Sequence, residues 1–403
     1  MALLRAPAAE AVALTLSRDL ARSLRRGHPW VFADALRDLP PAPPGAPALL
    51  HDGRGRPLAR GFYDASSPLA FRACTALPGQ AVDESWAQAR LEQAMALRRA
   101  CLDEDTSGYR LLNGEGDGLP GLVCDVYGET AVLRLDGAGP AAFWDAGAVA
   151  EWISNRLGLT AVLERAQRRA ATSGSAGAKP LLGPLPGQPV PFVEHGVALT
   201  ADVVRGQKTG FFLDQRENRA LLRPLARGRT VLNLFGYTGG FSVYAGLGGA
   251  RHVCTVDLAA PAIKAARQHW SMNHLPHQGH EPVVADVFEF LGQAAHQGRR
   301  WELVIADPPS FAPSQAALPQ AQSAYRRLVA ACAAVTAPGG LLAVASCSSH
   351  VDLPLFLRLV EEGLDQAGRL GRVLSITGLP PDHPSPLALP EFRYLKFVLL
   401  ALE

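Results

Sequence analysis

From about residue 196 the chain carries apolar runs of strand length at 230–235, 253–257, 282–286, 303–307, 340–347, 372–376 and 394–402. Helical patterns at 241–249, 260–273, 287–297, 320–335 and 353–369 separate most of them. A strand that is apolar throughout is buried on both faces, and an intervening helix returns the chain to the same end of the sheet. The pattern predicts a largely parallel, doubly wound sheet covered on both faces. Such sheets bind ligands at the carboxyl ends of their strands, so the residues just after each run are the candidate site.

Before residue 196 the pattern changes. The opening ten residues show no clear alternation. Ala13-Leu14-Thr15-Leu16, Trp30-Val31-Phe32 and Leu49-Leu50 are short strand candidates, and Gly53, Gly55 and Gly61 punctuate the next stretch, as in a small barrel. Residues 84–104 predict a helix with Trp86, Leu91, Ala94 and Leu97 on one face. Tyr109 to Tyr127 reads as a strand, a glycine-rich turn and a second strand. Residues 168–189, rich in Ala, Ser, Gly and Pro, read as a flexible loop or insertion. The expected division is 1–76, 77–195 and 196–403, with no internal repeat.

Composition sets bounds. With 403 residues, 48% of them hydrophobic and 19% charged, the chain can bury a sizeable core and is not disordered. The net charge of +2 announces no polyanion partner, but residues 1–75 hold ten arginines against six acidic residues. That is a weak sign of RNA contact in the N-terminal part, equally readable as a solvated face. The only lysines are Lys179, Lys208, Lys264 and Lys396. The six cysteines show no CxxC spacing, so neither structural zinc, another metal centre nor a disulfide framework is expected, and reduced thiols in a cytoplasmic protein fit best. Pro7 and Glu10 interrupt the N-terminal apolar residues, which argues against a signal peptide. The charge-free stretch 328–347 is split by Pro338-Gly339-Gly340 and reads as buried helix, tight turn and core strand, not a membrane span.

At the first strand end, Phe235-Gly236-Tyr237-Thr238-Gly239 leads into a helix, where glycines let backbone approach a ligand or simply shape a turn. There is no GxGxxG or phosphate-loop pattern. Asp257 ends the next strand, placed to accept hydrogen bonds from two ribose hydroxyls. Asp286 ends the third, with Phe288 able to pack on an adenine ring. A lone carboxylate there would be a helix cap; two in succession after a glycine loop favour an adenosine site. Asp307-Pro308-Pro309 closes the fourth strand, where paired prolines remove two N–H donors and leave Asp307 and neighbouring carbonyls for a substrate. Cys347 ends the fifth, flanked by Ser346 and Ser348. A buried structural thiol is the commoner fate of cysteine, but this position beside Asp307 favours a functional one. Ahead of the sheet, residues 206–219, with Gln215 and Arg216, begin as a turn and become helical. Their polar groups suit a lid, with a solvated connecting helix as the alternative.

With these residues in place, the chain resembles the class I S-adenosylmethionine-dependent methyltransferases. More narrowly it resembles the bacterial 23S ribosomal RNA large-subunit methyltransferase I group, over almost its whole length. Arg25-Arg26-Gly-His-Pro-Trp30-Val-Phe32 is similar to the start of that group's PUA domain, Gly114 to Gly121 to its middle domain, and Lys208 to Arg216 to its pre-sheet segment. Asn233 to Phe241, Asp307 to Phe311, Ser346-Cys-Ser348, Asp382-His-Pro384 and Tyr394-Leu-Lys396 complete the likeness. Ser349 departs from it, where glycine is usual, as does an added loop at 168–180.

The resemblance implies an α/β protein: a Rossmann-like methyltransferase sheet, an N-terminal PUA-like β-barrel and a small α/β middle domain. It implies S-adenosyl-L-methionine held by residues 235–239, Asp257, Asp286 and Phe288, with Gln215 and Arg216. Cys347 would be the nucleophile, Asp307, Pro308 and Pro309 would hold the base, and Arg25 and Arg26 the RNA. The implied partner is 23S ribosomal RNA or a large-subunit precursor, and a homodimer is compatible. The expected reaction is C5 methylation of a cytosine through a Cys347–C6 adduct. Amine or ring-nitrogen methylation, or a non-catalytic assembly factor, are the alternatives.

Overall fold

The computed structural model describes residues 2–5, 10–165 and 177–403. The chain forms two compact units. The first comprises Met1–Glu194, Thr200–Leu213 and Pro381–Phe392; the second comprises His195–Leu199, Asp214–Pro380 and Arg393–Glu403.

The first unit begins with a curled sheet of β1 (Val12–Thr15), β2 (Trp30–Val31), β3 (Ala46–His51), β4 (Pro57–Tyr63) and β5 (Phe71–Thr75), in the order β1-β3-β4-β5-β2. Leu14, Leu50, Ala59, Tyr63 and Phe71 fill its interior beside helix α1 (Ala21–Arg25). Gly61 marks no turn. It sits inside β4, where an added Cβ would lie 1.9 Å from the Arg72 carbonyl oxygen on β5. Backbone cannot yield as a flexible side chain can, so Gly61→Ala is expected to lower stability by about 2–3 kcal/mol. A shift of the urea midpoint checks this, and an unchanged midpoint would show that the two strands lie farther apart.

Helix α2 (Glu84–Cys101) is capped by the Asp83 carboxylate, which accepts from Trp86 N. Its buried face is Trp86, Ala87, Leu91, Ala94, Met95 and Arg98, while Leu97, expected inside, is 40% exposed. The helical period puts Leu97 off that stripe, and position 98 takes its place with a charged residue. Arg98 pairs bidentately with Asp117 at 2.5 and 2.8 Å and donates to the carbonyls of Arg110 and Asp382, both at 2.8 Å. A second sheet follows, of β6 (Gly108–Asn113), β7 (Leu122–Tyr127), β8 (Thr130–Leu135), β9 (Ala161–Arg165) and β10 (Ala178–Leu182), ordered β10-β9-β8-β7-β6. Helices α3 (Ala138–Phe143) and α4 (Ala146–Leu157) lie between β8 and β9 in the chain. Residues 168–176 of the expected insertion lie outside the described residues. Within it, residues 178–182 are not loop: β10 pairs antiparallel with β9, and Leu181 and Leu182 pack on the core of this sheet, while 183–189 carry no helix or strand.

Strands β11 (Val190–Glu194) and β12 (Val197–Ala201) lead on to helix α5 (Arg216–Leu222). The second unit holds seven strands: β13 (Thr230–Leu234), β14 (His252–Asp257), β15 (His280–Val284), β16 (Trp301–Ala306), β17 (Thr336–Ser346), β18 (Gly371–Thr377) and β19 (Lys396–Leu402). Their order is β15-β14-β13-β16-β17-β19-β18; the first five are parallel and β19 runs antiparallel to both neighbours. The helices are α6 (Gly240–Leu247), α7 (Ala260–Met272), α8 (Val287–His296), α9 (Leu318–Val335) and α10 (Leu353–Gln366).

The two-residue period of a strand divides the side chains between two cores. Leu232, Leu234, Val304, Ala306, Leu342, Val344, Val398 and Leu400 pack with α8, α9 and α10. Val231, Leu303, Ile305, Leu341, Ala343, Phe397 and Leu399 pack with residues of α5, α6 and α7. Coverage thins at both edge strands: Val373, Leu374 and Ile376 on β18 and Val284 on β15 are exposed. No separate turn precedes the fifth strand. β17 already pairs at Thr336 with Trp301, then shifts register to Leu341 opposite Leu303, so Pro338-Gly339-Gly340 forms an irregularity within the strand. No described helix is long and apolar enough to cross a membrane.

Candidate active site

The parallel register sets the site. Leu234 pairs with both Val256 and Ala306, and Ala306 pairs with Val344. The residues that follow (Phe235, Asp257, Asp307 and then Ser346-Cys347) therefore leave the sheet at one edge, on both sides of the β13–β16 switch in strand order.

The glycine loop is tightly constrained. Phe235 and Tyr237 hold φ of 55° and 45° without being glycine, and such conformations cost about 1–3 kcal/mol each. They persist because the surroundings fix them. Tyr237 N donates to Asp257 Oδ2 at 2.8 Å, Thr238 O lies 2.7 Å from His269 Nδ1, and Asp257 Oδ1 accepts from Ala259 N. A Cβ on Gly236 would meet Thr255 Cγ2 at 2.5 Å, and Gly239 has φ 78° with Ala266 Cβ 2.7 Å from its own would-be Cβ. Beneath the loop runs a buried polar chain: Asn233 Nδ2 donates to Ser242 Oγ, which contacts Thr255 Oγ1, which contacts His280 Nε2. Burial, with Arg267 and His252 nearby, holds His280 down to about 4, so the imidazole is neutral in this chain. Two buried atoms of the loop region, Asn233 Oδ1 and Thr238 Oγ1, have no protein hydrogen-bond partner. Buried polar atoms are rarely left so, and a cradle with open hydrogen-bonding atoms fits an adenosine-bearing ligand.

Asp257 is half-buried and keeps both oxygens at the loop's mouth. Asp286 is exposed and caps α8 through Oδ1, which accepts from Phe288 N and Glu289 N. The cap is compatible with a second role for Oδ2. Phe288 is half-buried, with the Arg327 guanidinium 4.3 Å from its ring centroid. Gln215 and Arg216 are buried at the start of α5, which rules out a solvated connecting helix. Gln215 Oε1 accepts from Asn218 Nδ2, and Asn218 Oδ1 accepts from Thr377 Oγ1 on β18.

Asp307 and Cys347 are both half-buried, Pro308 is buried and Pro309 exposed. Two residues that sequence reasoning missed belong with them. Tyr325 on α9 is buried, donates to Ser346 Oγ at 2.9 Å and stacks near Phe311 with ring centroids 4.9 Å apart. Burial raises its hydroxyl's proton affinity, and the nearby charges of Cys347 and Asp307 raise it further. Lys396 is also buried, at the start of β19 opposite Ser346. Only the chain fold brings either one here, although Lys396 stands in a motif of the resemblance. Arg25 and Arg26 belong to the first unit, are exposed at the end of α1, and are not part of this constellation.

Comparison with known proteins agrees with this geometry. Residues 160–386 match the family model described as S-adenosylmethionine-dependent methyltransferase, and residues 14–75 match a PUA-like domain. The chain is 41% identical to the ribosomal RNA large subunit methyltransferase of Deinococcus radiodurans, over 99% of this chain and all of that one. It is 34% identical to ribosomal RNA large subunit methyltransferase I of Klebsiella pneumoniae, covering 95% and 96% of the two. Among solved structures, a methyltransferase complexed with SAH superposes with a TM-score of 0.83 at 22% identity, covering 97% of this chain and 100% of that one.

Proposed function

Because this chain belongs to the ribosomal RNA large subunit methyltransferases, within the S-adenosylmethionine-dependent methyltransferase family, we propose that it methylates C5 of a cytosine in 23S ribosomal RNA, in the cytoplasm, with Cys347 as the nucleophile. The observation that carries this reading is a half-buried thiol directly past β17, one strand over from the half-buried carboxylate that follows the adjacent parallel strand β16.

S-adenosylmethionine, when bound, supplies an electrophilic methyl group. The work of the chain is to make an unreactive ring carbon accept it. The Cys347 thiolate adds to C6, forming a C–S bond and moving the C5–C6 electron pair to C5. After C5 is methylated, a base, either a side chain or water, takes the C5 proton, the C5–C6 double bond re-forms from that C–H pair, and the C6–S bond breaks to return the thiolate. Asp307 orients the base through N3 or the exocyclic amine, while Pro308 and Pro309 leave carbonyls without competing N–H donors. The target base is unpaired or flipped out of its helix to enter such a slot. Residues 235–239, Asp257, Asp286, Phe288, Gln215 and Arg216 hold the methyl donor, and exposed Arg25 and Arg26 contact RNA phosphates.

Nucleoside mass spectrometry on large-subunit RNA treated with the enzyme and labelled S-adenosylmethionine is expected to find the label as 5-methylcytidine. Label on an amine or a ring nitrogen would overturn the reading. Asp257→Ala is expected to weaken S-adenosylmethionine binding by roughly 10- to 100-fold, since two charge-assisted hydrogen bonds to ribose are lost together with the Tyr237 anchor. Isothermal calorimetry gives the answer directly; wild-type affinity would remove Asp257 from the donor site.

A further inference from the structure

Lys396 is the one buried lysine among the four of the chain, and its ammonium has no carboxylate in ion-pair contact among the described residues. Its Nζ donates instead to two carbonyls, Ser348 O at 2.5 Å and Tyr394 O at 2.7 Å. Those bonds fix the amine against the backbone of the residue next to Cys347, because Lys396 pairs with Ser346 across the β17–β19 ladder. Burying a cation with no carboxylate in contact is costly, and that cost moves lysine toward its neutral form. Arginine, which supplies nearly every other cation here, cannot give up its proton; lysine can.

We propose that Lys396 is a positioning residue that makes Cys347 a thiolate: the neutral amine takes the thiol proton, leaving an ammonium–thiolate pair. The S–H bond breaks, an N–H bond forms, and no further reactant is needed. The inference rests on the nucleophile reading above and adds how that nucleophile is charged. Burial holds the Lys396 amine down to about 8, against the raising effects of Cys347 and Asp352, within the range of an ordinary free thiol. The titratable groups that interact with Tyr325 or Lys396 here include Asp307 after β16 and Asp352 capping α10, beside Tyr325 itself on α9. Two are carboxylates that oppose a thiolate, and the tyrosine is held neutral by burial. Of these four groups, Lys396 supplies the positive charge.

The test reads the thiol alone, without RNA. Cys101, the other cysteine that is not fully buried, is changed to serine so that iodoacetamide reports Cys347. The pH at half-maximal alkylation rate is then compared for this background, K396M and K396R, with S-adenosylmethionine calorimetry confirming that each variant is folded. K396M is expected to move the midpoint up by one unit or more, and K396R, which keeps a cation, to move it less. A K396M profile superimposable on the background overturns the proposal, as does an equal shift in both variants, which would mark a structural effect. If the shift is present but the methyl is found on nitrogen, the ion pair stands and the C5 reading falls. If 5-methylcytidine forms with an unshifted profile, the ion pair alone falls.

Discussion

Cys347→Ala is expected to lose turnover by roughly 10³-fold or more while S-adenosylmethionine affinity stays within about twofold of wild type. The asymmetry follows from position. Cys347 lies past β17, whereas the glycine loop follows β13 and Asp257 closes β14, so truncating the thiol leaves the donor's cradle intact. Without a C6 adduct, C5 of cytosine has too little electron density to take a methyl group. Wild-type enzyme should also form a denaturation-resistant adduct with RNA containing 5-fluorocytosine, because fluorine at C5 cannot leave as a proton would; the alanine variant should form none. Four of the five other cysteines do not compete for this role. Cys74, Cys124, Cys254 and Cys332 are buried, and burial raises each of their thiols. Methylation by the alanine variant at an undiminished rate would eliminate covalent catalysis.

Arg98→Ala is expected to cost about 3–5 kcal/mol, the largest stability loss among the substitutions considered. Arg98 and Asp117 have side chains only 2% and 3% exposed, so removing the guanidinium leaves a carboxylate buried and uncompensated. The carbonyls of Arg110 and Asp382 lose their donor at the same time. The loss should appear as a lowered urea midpoint of the transition that reports the first unit. Combining Arg98→Met with Asp117→Leu should recover a good part of it, because the stranded charge is gone. A single-variant cost below about 1 kcal/mol would mean that water reaches the pair.

What can be read from the chain divides along a physical line. The strands and helices of the second unit fall within a few residues of their apolar runs, because each core position there is set by a local period. The glycine loop, Asp257, Asp307 and Cys347 are legible for the same reason, since the end of a parallel strand is a defined place. The methyltransferase family, its donor and the PUA-like domain follow from the motifs and hold. Tyr325 and Lys396 are not legible as site residues, because each sits in an element whose local pattern looks like core. Their relation to Cys347 exists only once β17, β19 and α9 are packed. Leu97 and Arg98 mislead in the same way: composition places leucine inside and arginine outside, but the Asp117 carboxylate, 19 residues along the chain, reverses the preference. The β10 strand is hidden by a Gly- and Ser-rich approach that looks like linker.

A single stretch of chain completes both units. Residues 381–392 return to the first unit, where the Asp382 carboxylate accepts from Arg110 N and the Pro384 carbonyl from Asn113. β19 then slots between β17 and β18, so the final stretch of chain is a central strand and not an edge. Removing residues 381–402 would therefore leave both units unfinished, one without its returning segment and the other without a central strand and Lys396.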